Sequence, residues 1–277
     1  MEIRYREINE LINYRHTRIE NPAHTDFHLH NRFEIYFFIS GSVNYFIEKK
    51  VYKLNYGDLL LINSHEIHKP SFTSAEPYER IVIHFDTSIA QYMSPPDFKL
   101  LNCFLSRPAG EQNLIRLNRR QVDEIMKLFG KMEALGDETS NGSDVLRLAC
   151  LLELLVYINR VFSSNLIPDF EEPSVPEKLV PILDYIDSNL ENDLSLEFLE
   201  RQFYINRFYL TRLFKKVTNS TLHEYIQYKR ISKAKKLLSD GSNVTEACMK
   251  SGFNDYSNFL RVFKRTVGIT PGQYRKG

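Results

Sequence analysis

The N-terminal third of the chain shows the residue pattern of short β-strands. From about residue 20 to residue 90, β-branched and aromatic residues form short runs that turn residues interrupt every 8–12 positions. This spacing predicts an antiparallel sandwich or barrel over residues 1–110. The predicted strands are Glu34–Ser40, Val43–Glu48, Val51–Leu54, Asp58–Asn63 and Tyr78–Phe85.

After residue 110 the hydrophobic period changes to that of helices. Val122, Ile125 and Phe129 recur at helical spacing, and a second apolar stripe follows the segment Gly136–Gly142. That stripe contains Leu148, Leu151, Leu152, Leu155 and Ile158. Because it is wider than one small barrel would bury, we expect the helical segment 111–167 to form a homodimer contact. The alternative is that the stripe only covers the open side of the barrel.

Prolines and acidic residues at 168–176 predict a linker, which precedes an all-helical domain at 177–277. In this last domain, short helical patterns are separated by cap and break residues such as Ser195, Asn206 and Gly268. The predicted fold class is therefore α+β and multidomain. An antiparallel barrel and a helical pair are followed by an all-α domain.

Charge is divided unevenly along the chain. The formal net charge is +1, but residues 177–277 hold 17 basic and 11 acidic residues, and from Arg207 onward the counts are 15 and 4. A positive field of this kind favours binding to a polyanion such as double-stranded DNA.

The remaining composition predicts a cytoplasmic protein. Cys103, Cys150 and Cys248 are widely spaced and form no CxxC motif, which is typical of reduced thiols and not of a disulfide framework or zinc site. No apolar run approaches the roughly 18 residues that span a bilayer, so we expect no membrane contact. The charged start, Met1–Tyr5, does not resemble a secretory signal.

A near repeat in the last domain points to two helix-turn-helix units. Leu196–Thr218 and Val244–Val267 each contain an amphipathic helix, a turn and an Arg-apolar-Phe-Lys-basic stretch, at Arg212–Lys216 and Arg261–Arg265. Gly252 stands where the second turn needs a left-handed or crowded backbone. Arginine can read guanine edges, and lysine at a helix end neutralises phosphate. The predicted DNA-binding residues are Arg207, Phe208, Thr211, Arg212, Lys215, Lys216, Tyr256, Ser257, Leu260, Arg261, Lys264 and Arg265.

The repeat resembles the DNA-binding domain of the AraC/XylS (arabinose-regulator) family, above all over Val244–Arg275. The resemblance implies a seven-helix domain in which a central helix, here Leu222–Leu238, joins the two units. Both recognition helices would then enter successive major grooves on one face of DNA. RNA polymerase is a further candidate partner. The residues that carry the resemblance are Ala247, Gly252-Phe253, Phe259, Arg261-Val262-Phe263-Lys264, Gly268, Thr270-Pro271 and Tyr274-Arg275.

The N-terminal block is similar to the two motifs of cupin barrels, which begin here at His28 and Gly57. In metal-binding cupins, the positions equivalent to His28, His30, Glu34 and His68 hold iron, manganese or zinc. Alternation places His28, His30 and Glu34 on one strand face. One interpretation is therefore a metal-dependent cupin enzyme fused to a DNA-binding domain.

We prefer a sensor that is not an enzyme and has no cofactor, metal or catalytic residue, because such sensors in the resembled family carry remnants of the same motif. Polar residues inside a barrel suit a small polar effector, of which a sugar is one example. A third interpretation is a barrel that binds no ligand and serves only dimerisation. The predicted ligand-binding residues are His28, His30, Arg32, Glu34, Tyr36, His65, His68 and His84.

Overall fold

The computed structural model describes residues 11–23, 25–135, 142–164 and 175–276. The described N-terminal residues form eight strands in two antiparallel sheets. The strands are β1 Ile12–Ile19, β2 Phe33–Ser40, β3 Val43–Ile47, β4 Lys50–Lys53, β5 Leu59–Ile62, β6 His68–Phe72, β7 Tyr78–Phe85 and β8 Leu114–Ile115.

The two sheets face each other as a sandwich and, among the described residues, do not close into the predicted barrel. One sheet has the order β1-β7-β2-β5-β8 and the other the order β4-β3-β6. All five predicted strands are present, with ends shifted by at most one residue. β1 and β6 were not among the predicted strands, and β6 contains Pro70, which an edge strand tolerates. β8 lies beyond residue 110, so the five-stranded sheet extends past the predicted domain boundary.

Both faces of the five-stranded sheet are buried. On one face Ile35, Phe37 and Ile83 belong to the core shared with the helical pair. On the other face Tyr36 and Val82 pack with residues of the three-stranded sheet. This double burial explains why β2 is an almost continuous apolar run and does not alternate.

The helical pair covers the outer face of the five-stranded sheet. The described helices that follow β7 in the sequence and precede the C-terminal domain are α1 Thr87–Met93, α2 Asn102–Leu105, α3 Arg119–Ala134 and α4 Ser143–Ser164. Leu151, Leu155 and Ile158 of α4 are fully buried in this core, whereas Leu148 and Leu152 are only partly buried. Part of the predicted stripe therefore covers the sheet. Most of the predicted linker, residues 168–174, lies outside the described residues, and Val175 packs in the C-terminal core.

The described C-terminal residues form seven helices. Ser195 and Asn206 cap the starts of the second and third of these, as predicted, and Gly268 ends the sixth. Among all described helices, none has the length and apolar character needed to cross a bilayer. The seven are α5 Val180–Ser188, α6 Leu196–Phe203, α7 Arg207–Thr218, α8 Leu222–Ser239, α9 Val244–Lys250, α10 Tyr256–Val267 and α11 Pro271–Tyr274.

The C-terminal domain packs on the outer face of the three-stranded sheet. Phe27 and Phe46 of the N-terminal domain lie 6.0 Å and 6.1 Å from the ring of Tyr225 on α8. Lys229 of α8 lies 2.5 Å from Glu48 and 3.0 Å from Asp187. The molecule is thus a stack of four layers: helical pair, five-stranded sheet, three-stranded sheet and C-terminal domain.

Candidate functional site

The first predicted recognition helix, α7, is amphipathic. Leu210 and Phe214 are fully buried, while Phe208 is 73% exposed. The side chain of Asn206 caps the helix by accepting hydrogen bonds from the backbone N–H groups of Phe208 and Tyr209. Arg212, Lys215 and Lys216 are exposed, so the predicted basic face is open.

Two predicted DNA-binding residues of α7 are engaged inside the unit. The Arg207 guanidinium pairs with Glu197 of α6 and lies 3.9 Å from Glu200. Thr211 donates its hydroxyl hydrogen to the carbonyl of Arg207 at 2.8 Å. Both residues are half-buried, unlike the basic residues further along the helix.

The second predicted recognition helix, α10, exposes a comparable face. Phe259, Val262 and Phe263 are buried, and Asp255 caps the helix start. Leu260 departs from the prediction of an outward position, because it is half-buried and packs on the domain core. The other predicted DNA-facing residues of α10 are exposed, namely Tyr256, Ser257, Arg261, Lys264 and Arg265.

A second candidate site is a cluster of histidines around Glu34, between the two sheets. Glu34 on β2 pairs directly with His84 on β7. One carboxylate oxygen, Glu34 Oε2, lies 2.9 Å from Nε2 of both His30 and His84 and 3.4 Å from Nε2 of His68. His68 and Glu34 are almost fully buried, while His30 and His84 are about a quarter exposed. The cluster therefore has a buried side and an accessible side.

Two of the imidazole rings are fixed by backbone carbonyls. His30 Nδ1 lies 2.8 Å from the carbonyl oxygen of Arg32, and His68 Nδ1 lies 2.8 Å from that of Glu66. Because a carbonyl oxygen only accepts, each Nδ1 carries a hydrogen. Each Nε2 is therefore the atom that faces Glu34.

The cluster shifts the ionisation of its members. Burial alone would raise the pKa of Glu34, but His68, His30 and His84 hold that pKa well below its ordinary value. Burial lowers the pKa of His30. At His68 burial acts in the same direction, yet Glu34 more than offsets it and raises the pKa. Glu34 is thus a carboxylate whose negative charge the surrounding rings stabilise.

The predicted ligand-binding residues do not all join this cluster. The expectation that His28, His30 and Glu34 share a strand face was wrong, because β2 begins only at Phe33. His30 reaches the cluster from the preceding segment, but His28 is exposed, and its backbone pairs with that of His68. Among the described residues, the group whose geometry could hold a metal ion is His30, Glu34 and His84, with potential donor atoms within 4.8 Å of one another.

Three other predicted ligand-binding residues lie in different surroundings. His65 was predicted wrongly as an inward residue, because its side chain is exposed and its carbonyl accepts a hydrogen bond from Ser232 of α8. Arg32 is half-buried. Tyr36 does face inward, and its hydroxyl lies 2.6 Å from that of Tyr78.

The sequence interpretation missed three polar residues between the sheets. Tyr45 lies parallel to His68 with ring centroids 6.2 Å apart, and the Arg80 guanidinium lies 5.0 Å from the ring centroid of Tyr78. Burial raises the pKa of Tyr45 well above its ordinary value, which keeps its hydroxyl protonated. Alternation along β7 could have identified Tyr78 and Arg80, because both share the face of His84.

Family profiles cover both domains. A profile described as an AraC-like ligand binding domain matches residues 13–155, and one described as a helix-turn-helix domain matches residues 199–277.

Individual relatives are distant. The chain is 23% identical over 249 residues to the HTH-type transcriptional activator RhaR of Mannheimia succiniciproducens, covering 90% of this chain and 86% of RhaR. It is 24% identical over 262 residues to an uncharacterized HTH-type transcriptional regulator of Staphylococcus aureus, covering 93% of this chain but only 33% of that protein. Among solved structures, ToxT of Vibrio cholerae with a bound unsaturated fatty acid is 15% identical, with a TM-score of 0.40 and coverage of 96% of this chain and 95% of ToxT.

Proposed function

The chain belongs to the AraC family of transcription regulators, and we propose that it activates transcription under the control of a small polar ligand. In this proposal α7 and α10 bind double-stranded operator DNA. The N-terminal domain binds the effector between its two sheets. The proposed activating role rests on the likeness to RhaR, which is named as an activator.

The exposed basic faces of α7 and α10 are the observation that carries the DNA-binding proposal. Each helix buries one apolar face and presents arginine and lysine on the other, at Arg212 and Lys216 in the first unit and at Arg261 and Lys264 in the second. Positive charge in this position neutralises phosphates and lets arginine reach base edges in the major groove. Acidic residues are few in this part of the chain, so little opposes the attraction.

The polar groups around Glu34 support an effector site in the N-terminal domain. A carboxylate, imidazoles and tyrosine hydroxyls offer both hydrogen-bond donors and acceptors among otherwise apolar side chains. Such a set suits a polyhydroxylated molecule, and a sugar is one candidate. We propose no catalytic role for these residues.

The contact between the domains supports a route from effector to DNA. The carbonyl of His30 accepts a hydrogen bond from Lys235 of α8 at 3.3 Å, so one residue contacts both the cluster and the helix that joins the two helix-turn-helix units. An effector shifts the arrangement of the domains only if it binds one arrangement more tightly than another. We expect the difference in effector affinity between the two arrangements to arise through the contacts of His30 with Glu34 and Lys235.

The outer face of α4 supports a homodimer. Val145 is exposed, and Leu148, Leu152 and Val156 are partly buried on the same side of the helix. We expect Leu152→Glu to convert dimers to monomers in sedimentation experiments while leaving the fold intact. A protein that regulates transcription in this way would act in the cytoplasm, with RNA polymerase as a further partner.

Operator binding by variants of the two helices tests the proposal. Binding of the full chain to its own upstream DNA is measured against unrelated duplex, with and without candidate effectors. We expect Arg212→Ala and Arg261→Ala each to weaken binding by about 1–3 kcal/mol and to relax sequence preference. The control is Arg120→Ala, an exposed arginine of α3 far from the proposed DNA face. If both variants bind operator as tightly as Arg120→Ala, the proposed recognition face is wrong.

Thermal unfolding in the presence of candidate effectors tests the ligand-binding part. A ligand that binds the folded protein raises its midpoint in a concentration-dependent way. If no small polar molecule changes either the midpoint or the operator affinity, the barrel serves dimerisation alone.

A further inference from the structure

The hydrogen positions around Glu34 turn the Nε2 atoms of His30 and His68 towards the carboxylate. Nδ1 of each ring already carries a hydrogen, so an Nε2 atom without a proton holds a lone pair. Oε2 of Glu34 is itself only an acceptor when ionised. The contacts around Oε2 therefore require positive charge among these atoms, which either ring protons or a bound cation supply.

The distances suit a first-row transition metal ion. Such ions bind imidazole nitrogen and carboxylate oxygen at about 2.0–2.2 Å, which places neighbouring ligand atoms about 3 Å apart in an octahedral site and about 3.4 Å apart in a tetrahedral one. Glu34 Oε2 lies 2.9 Å from Nε2 of both His30 and His84. Small rotations of the three side chains would therefore bring their donor atoms around one ion.

The surroundings of the histidines also match those of metal ligands. A metal-binding histidine usually donates its second ring N–H to a carbonyl or carboxylate, which fixes the ring and its tautomer. His30 and His68 both do so, towards the carbonyls of Arg32 and Glu66. The partial exposure of His30 and His84 gives an ion a way in.

We propose that His30, Glu34 and His84 bind a divalent first-row transition metal ion, with His68 as a fourth ligand. Nitrogen donors outnumber oxygen donors in this set, which favours zinc, iron, cobalt or nickel over calcium or magnesium. The set differs from the one that the cupin resemblance implied. His84 of β7 takes the place of His28, which is exposed at the edge of the cluster.

Metal titration of the untagged full chain tests this site. After dialysis against a chelator, the protein is titrated with Co²⁺, whose visible absorption reports nitrogen and oxygen ligands, and with Zn²⁺ by calorimetry. We expect one ion per chain. Loss of a group that supports a metal ligand typically weakens metal binding by about 10- to 100-fold. Loss of a ligand should cost at least as much, so we expect the metal affinities of Glu34→Gln and His84→Ala each to be about 100-fold lower than that of the parent.

His65→Ala is the matched control, because His65 is an exposed histidine just before β6, the strand that begins at His68, and lies outside the cluster. It should keep the affinity of the parent. Thermal unfolding separates lost binding from lost folding. Zn²⁺ should raise the midpoint of the parent and of His65→Ala but not that of His84→Ala.

The proposal is overturned if the parent takes up no metal, because protons then bridge the cluster. It is equally overturned if His84→Ala, folded by circular dichroism, binds metal as tightly as the parent. Should Glu34→Gln fail to fold, the variant of His84, whose side chain is about a quarter exposed, decides the question alone. Neither outcome depends on operator binding, so the proposed DNA-binding function can stand when the metal site fails.

Discussion

In the first helix-turn-helix unit the left-handed residue of the turn is Tyr204, which is 97% exposed, whereas in the second it is Gly252, which is buried. The turns also differ in length, with residues 204–206 between α6 and α7 and residues 251–255 between α9 and α10. A Cβ atom on Gly252 would lie 1.9 Å from the carbonyl oxygen of Leu190. The second turn is therefore packed into the core of its domain, and the first projects into solvent.

The two units also have different neighbours. α7 contacts β6 of the N-terminal domain, and Ser220, just beyond α7, lies 2.6 Å from Nζ of Lys69 on that strand. The first unit therefore adjoins the domain that we propose to bind the effector, while the turn of the second unit rests on the C-terminal core. The same motif therefore occurs in two surroundings, at the contact between the domains in the first unit and against the C-terminal core in the second.

The largest effect that we expect is the loss of the second turn in Gly252→Ala. Its φ of +91° and the contact with Leu190 both oppose a side chain. We expect a loss of about 5 kcal/mol in the free energy of unfolding, measured by denaturant titration. Gly241→Ala is the matched control, because Gly241 has a φ of +96° with open space around it and should lose only about 1 kcal/mol. Equal losses of stability in the two variants would show that crowding by Leu190 adds nothing to the cost of a side chain at Gly252.

The next largest effect concerns the contact between the domains. Lys229→Met leaves Glu48 buried without its ion partner. Burial alone would lower the pKa of Lys229, but Glu48 and Asp187 more than offset burial and raise it, so the lysine is charged in the parent. We expect a destabilisation of about 3 kcal/mol, seen as faster proteolysis between the domains and an earlier unfolding transition.

Replacing both members of the Glu48–Lys229 pair provides the control for this contact between the domains. The double variant Glu48→Gln with Lys229→Met removes both charges and should regain part of the lost stability. A double variant as unstable as Lys229→Met alone would exclude the ion pair as the cause.

A smaller effect concerns the proposed DNA-binding surface of the first unit. Glu197→Gln removes a carboxylate that pairs with Arg207 in the first unit. It frees the guanidinium for phosphate and lowers local negative charge, so operator affinity should rise a few-fold at low salt. Glu76→Gln, which removes an exposed acid from the β6–β7 connection, serves as the control for net charge. An unchanged affinity in Glu197→Gln would mean that Arg207 takes no part in DNA binding.

The smallest effect is a gain in stability at the first turn. Tyr204 has a φ of +51°, a region that costs a residue with a Cβ about 1–2 kcal/mol, and glycine avoids this cost at some loss of entropy. Tyr204→Gly should therefore stabilise the protein by about 0.5 kcal/mol, measured as a small rise in the unfolding midpoint. Tyr204→Ala keeps the strain while removing the ring, and a rise of the same size in that variant would contradict the explanation.

Local patterns predicted the elements that depend on nearby residues. The strand runs, the capped helices and the crowded position of Gly252 follow from the preferences of single residues and their neighbours. His84 was named for its inward position, but its direct pairing with Glu34 depends on the register of β2 against β7, which joins residues fifty positions apart. β6 also lacks a clear local signal, because Pro70 is acceptable only in a strand that lies at a sheet edge. The docking of α8 on the three-stranded sheet has no local signal at all.

The ion pairs between the domains should make the contact between them sensitive to ionic strength. Lys49 and Asp184 meet at 2.6 Å in a solvent-exposed part of this contact, so added salt screens their attraction. The same salt should weaken the phosphate contacts that we propose for α7 and α10, because it reduces the gain from counterion release. A plot of operator affinity against salt concentration, both on logarithmic scales, should therefore bend where the domains begin to separate, and the bend should move to lower salt in Lys49→Ala.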